Sequence, residues 1–181
     1  ENYNHEGKET GIENLNKHIK KKGSNISYWN LRGHEFEDMK YFINILKKTK
    51  EKNLLFLDLS YCNLKESFIV DLYKTLAQFP SLQQLYMAGS ENTDDVIKEF
   101  DNLLTQYELA GSIKLCTLDL SDIKNVSAYL QVINKHDVPL RSLKIQGVKF
   151  DSDASTALMN LINQSSTLRS LDLTNISCDD S

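Results

Sequence analysis

The chain has 181 residues, 40% hydrophobic and 25% charged, enough for one globular unit with a sizeable core and unlike a disordered or fibrous polymer. A formal net charge of -4 speaks against a general nucleic-acid binder, which needs a basic face to displace counterions from phosphates. No run approaches the roughly 18 consecutive apolar residues of a membrane span, and no secretory signal pattern is present.

In chain order, residues 1–24 differ in character from the rest. Thr10 to Lys22 carries Ile12, Leu15 and Ile19 on one side and Lys17, Lys20, Lys21 and Lys22 on the other. This predicts a capping helix or arm that covers the open edge of the first following strand; a basic partner-binding arm is the alternative.

From residue 25 to 181 one apolar phrase, L-x-x-L-x-L, recurs six times. It reads Ile26-Trp29-Leu31, Leu54-Leu57-Leu59, Leu82-Leu85-Met87, Leu115-Leu118-Leu120, Leu140-Leu143-Ile145 and Leu168-Leu171-Leu173. The starts at 26, 54, 82, 115, 140 and 168 are separated by 28, 28, 33, 25 and 28 residues. Such self-similarity marks a stack of supersecondary units. After each phrase comes a turn, then an apolar residue at Phe36, Leu64, Phe150 and Cys178, with Asn92 and Asn125 at that place in the third and fourth repeats.

Helical stripes follow the turns. Met39, Phe42, Ile43 and Leu46 keep the i, i+3, i+4, i+7 spacing, as do Ile69, Leu72, Tyr73 and Leu76, and Ala154, Ala157, Leu158 and Leu161. Val96, Phe100, Leu103, Leu104 and Tyr107 extend the stripe in the third repeat, and Thr105 to Ser112 reads as a lengthened loop. The short fourth repeat has room for a brief helix near Val126 to Asn134, ending before Pro139. A three-residue strand and one helix cannot bury their apolar faces alone. Stacked, the strands form a parallel sheet with helices on its back.

The stretch Leu54 to Leu64, L-x-x-L-D-L-S-x-C-x-L, resembles the consensus of ribonuclease-inhibitor-type leucine-rich repeats, and Leu115 to Ser121 and Leu168 to Thr174 carry similar phrases. The resemblance implies an α/β right-handed solenoid, or horseshoe, with the parallel sheet on its concave face and helices on its convex face. The family's turn Asn or Cys is kept only as Cys62; His34, Ser90, Ile123, Val148 and Ile176 stand at the other five places.

No catalytic constellation is present: the four histidines form no HExxH, and no GxSxG, GxGxxG or P-loop occurs. Cys62, Cys116 and Cys178 show no metal-ligand spacing, and Cys62 and Cys178 sit where buried side chains are expected. A non-enzyme without cofactor or metal is therefore expected. Alternation along each strand places Tyr28, Asn30, Phe56, Asp58, Gln84, Tyr86, Asp119, Lys144 and Asp172 on the open face, with Arg32 and Tyr61 just beyond it. Adjacent aromatics suit a protein-binding anchor, the alternative being packing under a covering loop or N-terminal segment of the chain itself. The Asp58, Asp119 and Asp172 line suits either a partner with a basic feature or a merely solvated face.

The expected function is thus binding of another protein by a monomer, without nucleic acid or membrane. The few, odd and widely spaced cysteines fit a reducing, cytoplasmic compartment. The Asn- and Lys-rich composition with imperfect repeats is similar to translocated bacterial effectors, which implies the host-cell cytosol for a secreted effector. Alternatives are a GTPase regulator resembling the Ran GTPase-activating proteins, for which Arg32 is the rim arginine, and the substrate-recognition part of a ubiquitin ligase.

Overall fold

The computed structural model describes residues 2–4, 27–36, 39–49 and 53–178. Each of the six phrases carries one three-residue strand among the described residues: β2 (Tyr28–Asn30), β3 (Phe56–Asp58), β4 (Gln84–Tyr86), β5 (Thr117–Asp119), β6 (Ser142–Lys144) and β8 (Ser170–Asp172). Between them lie α1 (Met39–Lys48), α2 (Glu66–Leu76), α3 (Asp94–Leu109), α4 (Val126–Lys135) and α5 (Ser152–Gln164). A further strand, β1 (Asn2–Asn4), joins the edge beside β2, giving one parallel sheet in the order β1-β2-β3-β4-β5-β6-β8. Two short strands, β7 (Lys149–Phe150) and β9 (Ser177–Cys178), pair separately.

The register follows the repeat. Tyr28, Phe56, Gln84, Thr117, Ser142 and Ser170 stand side by side, and so do Trp29, Leu57, Leu85, Leu118, Leu143 and Leu171. The second row faces the helices: Leu57, Leu85, Leu118 and Leu143 are 0% exposed and belong to one core with the helical stripes. Ile69, Leu72, Tyr73 and Leu76 of α2 are buried there, as are Val96, Phe100, Leu103, Leu104 and Tyr107 of α3.

Two hydrogen-bond ladders flank the strands. Before each strand, Leu55, Gln83, Cys116, Arg141 and Arg169 donate their amides to Ser27, Leu55, Gln83, Cys116 and Arg141 of the preceding repeat, at 2.7–2.9 Å. After each strand, Gly33, Tyr61, Gly89, Asp122 and Gly147 donate to Ser60, Ala88, Ser121, Gln146 and Thr174 of the following one, at 2.7–3.0 Å. The buried backbone is thus paired across repeats, which a stack of short strands requires.

The unequal intervals are absorbed by the helices. The stretch expected as a lengthened loop from Thr105 is instead helix as far as Leu109, because Tyr107 carries the apolar stripe one turn further and buries its ring. Only Ala110, Gly111 and Ser112 leave the helix, Gly111 with φ +105. The 25-residue repeat has a ten-residue helix, α4, against sixteen residues for α3 in the 33-residue one.

The capping-helix expectation for Thr10 to Lys22 lies outside the described residues. Asn2–Asn4, inside the expected arm, is a strand. At the other end Leu168, Leu171 and Leu173 are only half-buried, and Cys178 is exposed. The expectation of a buried Cys178 is corrected: among the described residues nothing packs over β9 as the next repeat packs over each internal one.

Candidate functional site

On the face away from the helices, Tyr28, Phe56 and Tyr86 form a continuous ladder of rings. Tyr28 and Phe56 stack with centroids 3.9 Å apart, and Phe56 meets Tyr86 at 5.1 Å. Neighbouring strands differ in register by nothing at Tyr28 and Phe56, while Tyr86 lies two residues along, diagonal to Phe56. All three are half-buried, and Tyr86 donates its hydroxyl to Gln84 Oε1 at 3.2 Å. Burial and the adjacent carboxylates of Asp119 and Asp58 raise the Tyr86 phenol above its ordinary value.

The carboxylates have a structural role that the sequence reading did not include. Asp58 and Asp119 are 6% and 5% exposed, and each Oδ1 accepts the amide two residues on, from Ser60 at 2.9 Å and Ser121 at 3.0 Å. Asp172 does the same for Thr174, and Asn30 for Arg32. These are Asx turns: a short side chain stands in for a backbone acceptor and starts the bend after the strand. Of the two expectations for this row, partner contact or a solvated face, the solvated one is corrected at Asp58 and Asp119, which the turn draws inward. Asp172 stays partly open at the last strand, its carboxyl held below the ordinary range by hydrogen bonds from Thr174 and Gln146.

A second row runs along the turns. Gly33, Tyr61, Gly89, Asp122, Gly147 and Asn175 all have positive φ, between 56° and 71°, and are spaced like the phrases themselves. Glycines alternate with side-chain-bearing residues, and at Gly89 and Gly147 the reason is steric. Tyr61 lies across Gly89, where an added Cβ would stand 2.8 Å from its ring, and Asp122 lies against Gly147 in the same way. Tyr61, 45% exposed, then donates its hydroxyl to Asp122 Oδ2 at 2.5 Å. That bond, followed by partial burial, raises the Tyr61 phenol. Arg32 places its guanidinium carbon 4.7 Å from the ring centre.

Of the expected site residues, the fold gathers Tyr28, Phe56, Gln84 and Tyr86 on the sheet and Arg32 with Tyr61 on the rim. Lys144 leans back from β6, its ammonium 5.8 Å from the Tyr86 ring centre. The Tyr61–Asp122 bridge was not anticipated, although Gly33, Gly89 and Gly147 in equivalent places signal the alternation. Also unanticipated is a cluster on the helical side. His136, its side chain 4% exposed, puts Nε2 2.6 Å from Asp101 and Nδ1 2.9 Å from Glu108, while Lys135 reaches Asp101 at 2.7 Å. Burial opposes the Asp101 charge, but the hydrogen bonds from Lys135 and His136 outweigh it and lower its pKa.

Cys62 is buried as expected and donates its thiol to Leu31 O at 3.0 Å. Burial pushes that thiol up to about 12. No helix among the described residues is long and apolar enough to cross a membrane. The chain matches no family model and no curated protein.

Proposed function

We propose that this chain is a leucine-rich-repeat protein of the ribonuclease-inhibitor-like kind, a right-handed solenoid whose open sheet face docks a partner protein. Binding, not catalysis, is its work. The observation that carries this reading is the Tyr28–Phe56–Tyr86 ladder, three half-exposed rings in contact on adjacent strands. Rings so placed offer large apolar area at little conformational cost, because their neighbours already hold them, and such area anchors interface hot spots. The rim adds Tyr61, exposed and held by Arg32 and Asp122. Arg32, stacked on that ring, suits a fixed docking edge better than the mobile arginine a GTPase regulator would extend.

The test replaces Tyr28, Phe56 and Tyr86 together by Ala and compares capture of binding proteins from lysate by this variant and by the wild type. Circular dichroism establishes that both are folded. Loss of the specifically captured protein is expected; a folded variant that captures it as before would refute the assignment.

A further inference from the structure

The ladder ends at Tyr86, and the surroundings of that ring have a definite charge pattern. Along the row that holds it, Asp58 and Asp119 are its partners in register on either side, and Lys144 follows Asp119 on the next strand. The two carboxylates are buried and fixed by the turn amides, so water screens their field less than it would a surface pair. A phenol face carries negative quadrupole potential of its own. Ring and carboxylates together favour a cation above Tyr86.

The chain supplies one. Lys144 reaches back past Asp119 to bring its ammonium 5.8 Å from the Tyr86 centroid, although Asp172 stands on the strand to its other side. At the rim Arg32 sits over Tyr61 in the same fashion. Two outward tyrosines on one face thus each receive a cation from the chain itself. The occupants differ in how firmly they are held. Lys144 is a strongly hydrated point charge on a flexible stem, and a guanidinium stacks on a ring face better than an ammonium does.

Resting on the docking-face reading above, we propose that Tyr86 between Asp58 and Asp119 is a cation-recognition subsite, that Lys144 is its tethered occupant, and that the subsite takes an arginine side chain from a basic segment of the partner. Arginine displaces the lysine because it loses less hydration and covers more of the ring. Lys144 then acts as an internal competitor, setting how basic a segment must be before it is accepted.

The experiment uses the full chain and fluorescence polarisation with two labelled peptides, one alternating arginine with serine, the other carrying neutral citrulline in place of each arginine. The wild type should prefer the arginine peptide. Lys144→Met should tighten that peptide about two- to fivefold, the worth of one exposed cation–ring contact, and leave the citrulline peptide unchanged. Tyr86→Leu and Asp119→Asn should weaken it; asparagine keeps the Oδ1 acceptor and so preserves the turn. Lys98→Met, the same charge change on exposed α3, should have no effect. An equal gain from Lys98→Met, no gain from Lys144→Met, equal binding of both peptides, or binding of neither would overturn the inference. If both peptides bind equally and the Tyr28, Phe56, Tyr86 triple substitution removes both, the docking face survives and only its charge preference fails.

Discussion

Tyr61 and Asp122, 61 residues apart in sequence, are joined by a 2.5 Å hydrogen bond that passes over Gly89. Both donor and acceptor residues hold positive φ, 57° and 56°, a conformation that side-chain-bearing residues seldom adopt. Such strain persists only where the surroundings hold it in place. Here the glycine between them is what makes the crossing possible.

Gly89→Ala should therefore destabilise the chain by about 1–3 kcal/mol, combining positive-φ strain with a methyl group against the Tyr61 ring. In a Tyr61→Ala background the steric part disappears and the penalty should fall to about 1 kcal/mol. Chemical denaturation of the four variants in this cycle measures the difference. Equal penalties in both backgrounds would show that the ring does not rest on Gly89.

The turn aspartates make a second prediction. Asp58→Ala and Asp119→Ala each remove the acceptor of a buried amide and should cost about 1–3 kcal/mol. Asp172→Ala, at the partly open last strand, should change the melting temperature far less. If all three behave alike, the inward turn of Asp58 and Asp119 is not a stability device.

How much of this was legible follows from what each contact depends on. The strands could be placed because Leu57, Leu85, Leu118 and Leu143 recur with their flanking leucines, and a period of about 28 leaves one strand and one helix per unit. The helix stripe at Ile69, Leu72, Tyr73 and Leu76 could be read because each of its contacts lies within a turn of the next. Alternation also identifies which side chains leave the core. It does not say which of them fold back, so Asp58 and Asp119 read as open to a partner or to solvent when a backbone amide two residues on claims them. Tyr61–Asp122 and His136–Asp101 were hidden for a different reason: each joins distant repeats, at distances that only stacking determines. Cys178 misled because its place in the repeat is apolar, while its burial depends on a neighbour.

The thiols provide a third prediction. Cys62 is buried and its pKa is raised to about 12, so at pH 8 it is overwhelmingly the unreactive thiol; Cys178 is exposed. Ellman's reagent should label Cys178 first and Cys62 only on unfolding. A variant with Cys116 and Cys178 both replaced by Ser that still labels rapidly before unfolding would contradict this placement.

The helical side adds pH dependence. The Asp101 carboxyl titrates below its ordinary 3.8, held charged by Lys135 and His136. Its contribution to stability is therefore present above that value and is lost as pH falls through the lower folded value. Asp101→Asn should lower stability at pH 7 by about 1–2 kcal/mol, roughly 2–8 °C in melting temperature. The difference from wild type should shrink toward pH 2. A difference independent of pH would assign the effect to packing.

The docking face itself is tested most directly by photocrosslinking. A photoreactive benzoylphenylalanine replaces Gln84, beside the ladder, or Lys74, exposed on α2, and the chain is irradiated in lysate before mass spectrometry of the adducts. The account predicts a discrete adduct from position 84, lost when Tyr28 and Phe56 are also replaced by Ala, and none from position 74. A discrete adduct from position 74 alone would place the partner on the helices and contradict the account.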